Sequence, residues 1–417
     1  MDVEKKLQQL RKIETYLEQE SMLLSESNID TRLKLKKLLK EKIRVLFICH
    51  RPEVWNSLKT VYKAFHDDPA FETLIIAIPN KKQLPEGGLN HEVYESEGAE
   101  DYWESYDCVC GYNYENGQWI DPRDLCPDYV FFQQPYNITR SAKYKSWIVS
   151  KYAKLCYVAY AYPIGSKEIF DSSYPSDFLL STSFYFAQDQ LHYHDIQERL
   201  DVVNDTLTRA YITGFPRFDL IQPEERKKEK EEFCALWTPR WSTRENNSFF
   251  FEYKDLLLTY CDKYKDFSLL FRPHPQAFLE WNATGEMTES EACDYKMEYE
   301  KRKNAQIDAN RDYLLTFERS DCLIADMTSL MAEYFLTGKP IIYCHRENCF
   351  TEAGKRLAEG FYWVQTWEEL RQTLNMLRTG QDPLREKRTE IMNTLFFRPE
   401  EGAGYKIKEI IKKDALK

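Results

Sequence analysis

From residue 43 onward, short apolar runs alternate with amphipathic stretches, and this alternation constrains the fold more than any other feature. The run Ile43–Cys49 is followed by a loop, by a predicted helix over Ser57–Phe65 and by a second run, Thr73–Ile78. Apolar runs of this length predict strands that are buried on both faces, as in parallel sheets. Strands that alternate with helices predict a doubly wound parallel sheet.

The same pattern occurs twice, which predicts two α/β domains. Further strands are expected at Pro127–Phe132, Leu155–Ala159, Ala235–Thr238, Ser268–Arg272, Asp321–Ala325 and Pro340–Tyr343. We place the first domain at 43–215 and the second at 216–395, with a final helix in 396–417 that can pack back on the first domain. Two such sheets facing each other form a cleft at the carboxyl ends of their strands, where ligands bind.

Residues 1–42 form an N-terminal helical extension. Its apolar residues recur at spacings of three and four, as in an amphipathic helix: Val3, Leu7, Leu10, Ile13 and Leu17. We expect a break at 25–28 and a second helix over 31–42 that carries a run of lysines. This helix pair packs on the main body or on a second subunit, or its basic face contacts the anionic inner leaflet of a membrane. The packing interpretation is favoured, because charge runs are usually solvated.

Composition excludes several classes of protein. The net charge is −11, and phosphate neutralisation needs a basic surface, so no nucleic-acid partner is expected. The 11 Cys contain no C-x-x-C pair, so neither a disulfide framework nor a metal site is predicted. No apolar run approaches the about 20 residues of a membrane-spanning helix. The N-terminus is charged and has no apolar signal core, so a cytoplasmic protein is expected.

Polar residues follow the predicted strands of the second half. Asp326, Thr328 and Ser329 come between a strand and a helix that contains Glu333. The free N–H groups of a helix start attract anions, so the two hydroxyls are candidates to bind a phosphate. A plain strand–cap–helix connection is equally compatible with this pattern.

A rigid turn with prolines on both sides of a histidine ends another predicted strand. In this turn, Arg272 suits a diphosphate, and His274 suits proton transfer or a phosphate contact. Two shorter signals are Gly214 with Arg217, and Pro239 with Arg240. Together these strand ends are predicted to face one cleft.

In this order, the motifs resemble the CDP-glycerol glycerophosphotransferase family of teichoic-acid primases and polymerases. The matching residues are Gly214-Phe215-Pro216-Arg217, Trp237-Thr238-Pro239-Arg240-Trp241, Arg272-Pro273-His274-Pro275 and Asp326-Met327-Thr328-Ser329, with Glu333 at the family's later acidic position. The resemblance is good over about 210–345 and general over 43–210. It implies a GT-B fold and a donor site formed by the matching residues, with His274 and Ser329 at the donor diphosphate.

The resemblance also implies a reaction. A phosphoglycerol or related polyol-phosphate unit is transferred from CDP-glycerol to a hydroxyl of a cell-surface glycan or a lipid-linked, teichoic-acid-like polymer. Neither a cofactor nor an essential metal is expected, and the nucleotide enters as a substrate. The chain is therefore predicted to be an enzyme of cell-wall or capsule polysaccharide synthesis.

One departure from the family concerns the catalytic base. The family carries a histidine within W-H-G-T-P in its first half, whereas the counterpart here, Tyr157–Gly165, has none. His50, at the end of the first strand, is the best substitute, followed by Glu53 and Tyr160; a loop position without function is equally compatible with His50. Gln133 is a further acceptor-side candidate. Two alternatives stay open: a GT-B glycosyltransferase that uses a nucleotide-activated sugar, and a non-catalytic relative that binds a glycan or nucleotide.

Overall fold

The computed structural model describes residues 2–83, 89–96, 102, 106, 108–165, 176–202, 205, 207–221, 232–241, 248–310, 312–345 and 350–417. Its strands are β1 (Ile43–Cys49), β2 (Phe71–Ala77), β3 (Asn80–Gln83), β4 (Leu89–Glu95), β5 (Cys108–Cys110), β6 (Tyr112–Asn113), β7 (Gln118–Trp119), β8 (Tyr129–Phe132), β9 (Lys154–Val158), β10 (Phe184–Ala187), β11 (Arg209–Ile212), β12 (Phe233–Thr238), β13 (Phe267–Phe271), β14 (Ala305–Ile307), β15 (Cys322–Ala325), β16 (Ile341–Cys344) and β17 (Tyr362–Val364).

The α-helices lie between these strands and at both ends of the chain. They are α1 (Asp2–Leu39), α2 (Lys59–His66), α3 (Ser146–Val149), α4 (Ser176–Leu179), α5 (Gln190–Val202), α6 (Phe250–Lys263), α7 (Ala277–Ala283), α8 (Glu289–Glu300), α9 (Leu314–Arg319), α10 (Leu330–Phe335), α11 (Glu352–Ala358), α12 (Trp367–Arg378), α13 (Arg385–Leu395) and α14 (Ala403–Ala415). None of the helices in the part of the chain that the structure describes is long and apolar enough to cross a membrane.

Two parallel sheets organise the chain, as the alternation of apolar runs predicts. The first has seven strands in the order β11-β10-β9-β8-β1-β2-β5, and the second has six in the order β14-β13-β12-β15-β16-β17. The register aligns Cys49 of β1 with Ala77 of β2, and Trp237 of β12 with Ile324 of β15. The central strands are almost fully buried, which explains why their sequences are continuously apolar.

Two antiparallel hairpins that the sequence analysis did not anticipate extend from the first sheet. One pairs β3 with β4, and the other pairs β6 with β7. They follow β2 and β5 directly, so they begin at the carboxyl edge of the sheet, where β1 also ends.

The N-terminal extension is one unbroken helix, so the predicted break at 25–28 and the predicted helix pair are wrong. The hydroxyl groups that suggested a break instead bond back to the helix itself. Ser25 Oγ donates to the Ser21 carbonyl and Thr31 Oγ1 to the Ser27 carbonyl, each at 2.9 Å. Such bonds to the residue four positions earlier satisfy the side chain within a continuing helix.

The C-terminal half of α1 packs on the first domain. Ile29 and Leu33 are buried there. Arg32 Nε and Lys36 Nζ bind the buried carboxylate of Asp128 at 2.9 and 2.6 Å. Part of the basic face that was predicted to meet solvent or a membrane is therefore engaged within the chain.

The last helix, α14, also packs on the first domain. It lies against α2 so closely that a Cβ on Gly404 would come within 2.5 Å of the Thr60 carbonyl group. Asp414, near its end, binds Lys154 Nζ at 2.6 Å and accepts a hydrogen bond from Tyr129 at 2.8 Å. The C-terminal half of α1 and the helix α14 thus pack on the same domain.

Aromatic side chains fill the space where the two domains meet. Tyr162 lies 5.5 Å from Phe218 and 5.3 Å from Phe396 between ring centres, and Phe396 lies 6.2 Å from Phe335. One buried cluster therefore includes residues from both domains. This shared core positions the two sheets relative to each other and so shapes the cleft.

Candidate functional site

The carboxyl ends of strands from both sheets carry the polar residues singled out above. In the first sheet β1 leads into His50, and in the second sheet β12 leads into Arg240 and β13 into His274. Parallel strands put all their carboxyl ends along one edge. The Thr351 hydroxyl, beyond the end of β16, donates to the Pro163 carbonyl, beyond the end of β9, at 3.2 Å. The two edges therefore face one cleft.

His50 is buried at the end of β1 and held by two amides. Its backbone N–H donates to Gln133 Oε1 at 2.7 Å, and its ring Nε2 lies 2.8 Å from Gln134 Oε1. Because an amide oxygen only accepts, Nε2 carries the proton and Nδ1 keeps a lone pair. Nδ1 is buried without a hydrogen-bond partner among the described residues. Burial, followed by the charges of Arg140 and Arg51, lowers the pKa of His50 to about 3 against the pull of the Gln134 hydrogen bond.

Arg140 is a buried cation beside His50 that sequence reasoning missed. Its Nη1 donates to Asn137 Oδ1 at 3.2 Å, its Nη2 donates to the Gln134 carbonyl, and its Nε has no partner within the described ranges. The guanidinium lies 4.3 Å from the centre of the Phe132 ring. Burial lowers its pKa to about 9. A buried cation with only neutral hydrogen-bond partners favours a neighbouring anion.

His274 lies exposed at the opposite side of the cleft and stacks on Trp241 at 5.6 Å. The backbone N–H of Gln276 donates to its Nδ1 at 3.2 Å, so the neutral ring carries its proton on Nε2. Although the side chain reaches solvent, protein atoms crowd it. This desolvation, followed by the charges of Arg240 and Arg51, lowers the pKa of His274 to about 4. His274 therefore presents a neutral N–H donor among cations.

Asp326 holds the loop that presents Arg240. Its Oδ2 accepts hydrogen bonds from the backbone N–H groups of Arg240 at 2.9 Å and Phe249 at 3.2 Å. The carboxylate is 1% exposed, so its geometry supports positioning of this loop and not direct contact with a donor. Pro239 is buried at the start of the same loop.

Three hydroxyl groups lie near these strand ends. Thr238, the last residue of β12, is 5% exposed, and its Oγ1 has no partner in the described part of the chain. Thr328 is half-buried and accepts a long hydrogen bond of 3.4 Å from the Leu330 N–H. Ser329 precedes α10 and is exposed, and its side chain makes no capping hydrogen bond. These hydroxyls remain available to bind a ligand.

Two residues expected at the donor site form a buried ion pair with each other. Arg217 Nη1 binds Glu333 Oε1 at 2.7 Å, with both side chains buried. The Tyr313 hydroxyl accepts from Arg217 at 2.9 Å and donates to Glu333 Oε2. The geometry of Arg217 and Glu333 therefore supports a structural role, because each neutralises the other away from solvent.

Gly214 likewise serves the packing of the chain. Its φ is +86°, and a Cβ there would lie 2.8 Å from Pro399 Cδ and 2.9 Å from the Phe397 carbonyl oxygen. Glycine is required because the returning C-terminal segment crosses it and because φ is positive. Gly214 therefore fits the crossing and not the donor site.

Arg272 is engaged in a neighbouring ion pair. Its Nη1 binds Asp308 Oδ2 at 2.6 Å and the Asn310 carbonyl at 2.8 Å. Asp308 also accepts a hydrogen bond from Thr316 at 2.6 Å. This arrangement fixes the segment after β14 to the end of β13. Arg272 therefore anchors the turn that carries His274.

The acceptor-side candidates differ in their surroundings. Gln133 is fully buried, and its amide clamps the backbone of His50 and Arg51. The Tyr160 hydroxyl lies 3.0 Å from the Tyr136 hydroxyl. Glu53 is half-buried in the 3-10 turn after His50. Gln133 thus positions His50, whereas Glu53 and Tyr160 lie in the segments that follow β1 and β9.

A carboxylate–histidine pair at the end of β10 was not predicted. Asp189 Oδ2 lies 2.9 Å from His192 Nδ1 and accepts from Tyr162 at 2.6 Å. His192 Nε2 lies 3.4 Å from the Pro163 carbonyl, which also accepts from Thr351 of the second domain. The pair therefore supports the contact between the domains.

Among the described residues, no group of three or more His, Cys, Asp or Glu side chains is arranged to hold a metal ion. The expectation that transfer needs no metal and no cofactor stays a prediction.

Solved structures define the class of fold. The UDP-N-acetylglucosamine 2-epimerase from Neisseria meningitidis bound to UDP-GlcNAc gives a TM-score of 0.53 at 12% identity, covering 89% of this chain and 98% of that chain. S. aureus MnaA with UDP gives 0.52 at 14%, covering 89% and 96%. A variant of the wall teichoic acid polymerase TagF soaked with CDPG gives 0.53 at 13%, covering 97% and 98%. At these identities the likeness concerns the fold, and it confirms the GT-B class.

One family profile matches part of the sequence. Residues 192–351 match the profile of the family described as CDP-glycerol:poly(glycerophosphate) glycerophosphotransferase. This match includes the motifs around Arg240, His274 and Ser329, and it confirms the resemblance on which the sequence analysis relied. A comparison with curated protein sequences finds no match.

Proposed function

We propose that this chain transfers a phosphoglycerol or related polyol-phosphate unit from CDP-glycerol to a hydroxyl of a cell-surface glycan or teichoic-acid-like acceptor. One observation carries the proposal: at the strand ends of the second domain His274 stacks on Trp241 at 5.6 Å, and the Arg240 guanidinium lies 5.9 Å from the same ring. The charges of Arg240 and Arg51 both lower the pKa of His274. In a chain with a net charge of −11, such a concentration of positive charge suits a diphosphate. The family match at 192–351 supports the donor.

The proposed reaction breaks the bond between the glycerol-bearing phosphorus and the oxygen that bridges it to CMP. A new bond forms between that phosphorus and the acceptor oxygen, and CMP leaves. Negative charge builds up on the bridging oxygen. Arg51, Arg240 and the Nε2–H of His274 are proposed to stabilise it, and Thr238 and Ser329 to donate hydrogen bonds to the phosphates. Transfer is expected to persist in excess EDTA.

The acceptor hydroxyl must lose a proton as it attacks. We assign this role to His50, because its Nδ1 lone pair is unpartnered among the described residues while Gln134 holds Nε2. The charges of Arg140 and Arg51 lower the pKa of His50. Donor phosphates bring the opposite charge, so the pKa is expected to rise when the donor binds. His50→Ala should cut the maximal rate strongly with little change in nucleotide affinity. If this variant keeps the full rate, His50 is not the base, and Glu53 is the next candidate.

The donor site is tested by CMP release from CDP-glycerol with a soluble glycan or glycerol-phosphate acceptor. His274→Ala should lower turnover more than about tenfold, which corresponds to about 1.4 kcal/mol. His194→Ala is the matched control, because this histidine is also exposed but lies on α5. Equal activity of His274→Ala and wild type would overturn the assignment of the donor site.

The nucleotide is tested separately by thermal shift. A ligand at 100 times its dissociation constant adds about 2.7 kcal/mol to the free energy of unfolding. CDP or CDP-glycerol is expected to stabilise the chain, and UDP-sugars are not. Stabilisation by a UDP-sugar alone would instead support a GT-B glycosyltransferase.

We further propose a peripheral contact of α1 with the anionic inner leaflet of a membrane. Leu35, Leu38 and Leu39 are 54%, 80% and 58% exposed, and exposed Lys34 and Lys40 lie beside them. Apolar side chains flanked by lysines suit a surface of anionic lipid. This contact would keep a cytoplasmic enzyme near a lipid-linked acceptor.

A further inference from the structure

An aromatic surface covers the two hairpins at the edge of the first sheet. Tyr112 and Trp119 are directly opposite each other in the β6–β7 hairpin, with ring centres 4.6 Å apart. Tyr94, from the β3–β4 hairpin, lies 4.8 Å from Trp119, and Tyr114 lies 4.9 Å from Tyr112. We call these four residues the aromatic platform and group with them Trp147, which lies three residues after Tyr144, a contact of Trp119 at 5.4 Å.

The platform is partly open to solvent. Tyr114 is 47% exposed and Trp147 is 41% exposed, while the other rings are half-buried and support them. Trp119 also contacts the buried Tyr144 at 5.4 Å, and the Tyr144 hydroxyl donates to the Ile120 carbonyl at 2.8 Å. Contacts to the sheet therefore hold the rings in place.

Lysines border the platform. Lys143 Nζ donates to the Trp119 carbonyl at 3.2 Å, and Lys145 Nζ lies 5.1 Å from the centre of the Trp147 ring. Lys81 is directly opposite Tyr94 in the β3–β4 hairpin. Desolvation, followed by the charge of Lys145, lowers the pKa of Lys81. The platform thus combines open aromatic faces with clustered positive charge.

The aromatic platform lies near the carboxyl end of β1, on the proposed acceptor side of the cleft. The Gly111 N–H donates to the Ala77 carbonyl at 2.7 Å, which ties the start of the β6–β7 hairpin to the carboxyl end of β2. Ala77 is in register with Cys49, the residue before His50. Adjacent strands are about 4.8 Å apart, so the platform begins about 10 Å from the end of β1. A chain that places its terminal hydroxyl at His50 can reach it within a few sugar or polyol units.

We infer that the aromatic platform is a binding site for the sugar-containing part of an anionic acceptor chain, a deepening that rests on the proposed transferase function. The C–H faces of sugar rings pack on the electron-rich faces of Tyr114 and Trp147, whose ring faces carry negative partial charge. Phosphodiester groups between the sugars pair with Lys81 and Lys145. A neutral sugar would not need the lysines, and a phosphate chain without sugars would not need the aromatic rings.

Binding is measured on the full chain without donor, by titration calorimetry. The probes are a disaccharide carrying two glycerol-phosphate units, the same glycerol-phosphate dimer without sugar, and a neutral N-acetylglucosamine tetramer. The sugar-bearing anionic probe is expected to bind most tightly. Tyr114→Ala and Trp147→Ala should each weaken it about fivefold. Lys145→Gln should weaken both anionic probes and reduce their salt dependence.

Tyr16→Ala is the control, because Tyr16 is 61% exposed on α1. Thermal melts of all variants exclude a loss of fold, since Tyr114 and Trp147 are at the surface. The inference is overturned if the sugar adds nothing to binding, or if the aromatic variants bind all probes like wild type. It is also overturned if these rings instead mediate binding to anionic lipid vesicles. These measurements report binding and not turnover. A chain that binds the probe but releases no CMP from CDP-glycerol would contradict the transferase proposal and leave the binding site intact.

Discussion

The two edges of the first sheet differ in whether their buried charged and polar side chains have partners. At the amino edge, Asp128 at the start of β8 binds Arg32 and Lys36 of α1. Lys154 at the start of β9 binds Asp414 of α14 at 2.6 Å, so both terminal helices are attached here by ion pairs. Each buried charge at this edge meets its opposite.

At the carboxyl edge, buried polar atoms lack partners. Among the described residues these atoms include His50 Nδ1, Arg140 Nε and Gln188 Oε1. An unsatisfied buried polar group costs about 1–3 kcal/mol. At the amino edge, by contrast, the buried charges of Asp128, Lys154 and Asp414 are paired. The amino edge thus holds the terminal helices on the sheet, whereas the carboxyl edge leaves buried polar atoms of the described residues without protein partners, as the proposed ligand site requires.

The comparison is tested most strongly at the amino edge. Asp414→Ala leaves the buried ammonium of Lys154 with Asp30 alone, at 2.5 Å. We expect a loss of about 3 kcal/mol in the free energy of unfolding, because Lys154 loses its buried carboxylate and Tyr129 loses the acceptor of its hydroxyl. Urea denaturation measures this loss. Activity per folded molecule should be unchanged.

The control for this variant is Asp67→Ala, which breaks an exposed pair with Lys63. An exposed pair contributes less than about 1 kcal/mol, so the two variants should differ clearly. Equal effects would show that the amino edge does not depend on its buried ion pairs.

The second test concerns acid stability and His50. The pKa of His50 is about 3 in the folded chain and 6.5 in its ordinary state. Between these values the unfolded chain binds more protons, so the free energy of unfolding falls as pH falls from 6.5 towards 3. At pH 4 the loss due to His50 is about 3 kcal/mol. His50→Gln should remove it, as measured by urea denaturation at pH 7 and pH 4.

His194→Gln provides the comparison for this test, because His194 is exposed. It should keep the acid sensitivity of wild type. If His50→Gln keeps it as well, His50 is not held neutral at the carboxyl edge.

The sequence predicted those features of the two edges that depend on the pattern of neighbouring residues. The apolar runs at β1, β8, β12 and β15 are local signals, and they predicted both sheets. Short strands such as β14 and β17 have too few residues for a pattern. The break in α1 was wrong, because serine and threonine hydroxyls can bond within their own helix.

The placement of the candidate residues was predicted where they follow strands, and their contacts were missed where the partners come from elsewhere in the chain. The strand-end rule located His50 and His274. It did not show that Arg217 pairs with Glu333, because the two residues lie 116 positions apart. It also missed Arg140, whose importance depends on burial beside His50. Long-range pairing is not visible in one sequence.

A third test uses a threonine at the cleft. Thr238→Val replaces a buried hydroxyl that has no partner in the described structure by a methyl group. The free energy of unfolding should stay the same or rise, because an unsatisfied group is removed. Affinity for CDP-glycerol should fall about tenfold, or about 1.4 kcal/mol, if the hydroxyl binds the donor.

Thr316→Val is the matched control for the threonine test. Its buried hydroxyl donates to Asp308 at 2.6 Å, so its loss should cost about 1–3 kcal/mol of stability. Unchanged donor affinity in Thr238→Val would remove this hydroxyl from the site.

The smallest expected effect concerns α1, where a lysine that is paired with the sheet can be compared with lysines that are exposed. Lys36 faces the sheet and binds Asp128, whereas Lys34 and Lys40 face away beside exposed leucines. Lys34→Gln and Lys40→Gln should each weaken binding to anionic vesicles by about 1 kcal/mol at low salt, and salt should abolish the difference. Lys36→Gln should lower stability and leave vesicle binding alone, because its charge is already neutralised. Flotation with vesicles of one-third phosphatidylglycerol measures both. If wild type does not float, the membrane proposal is wrong; self-association in sedimentation would then identify this face as a contact with a second copy.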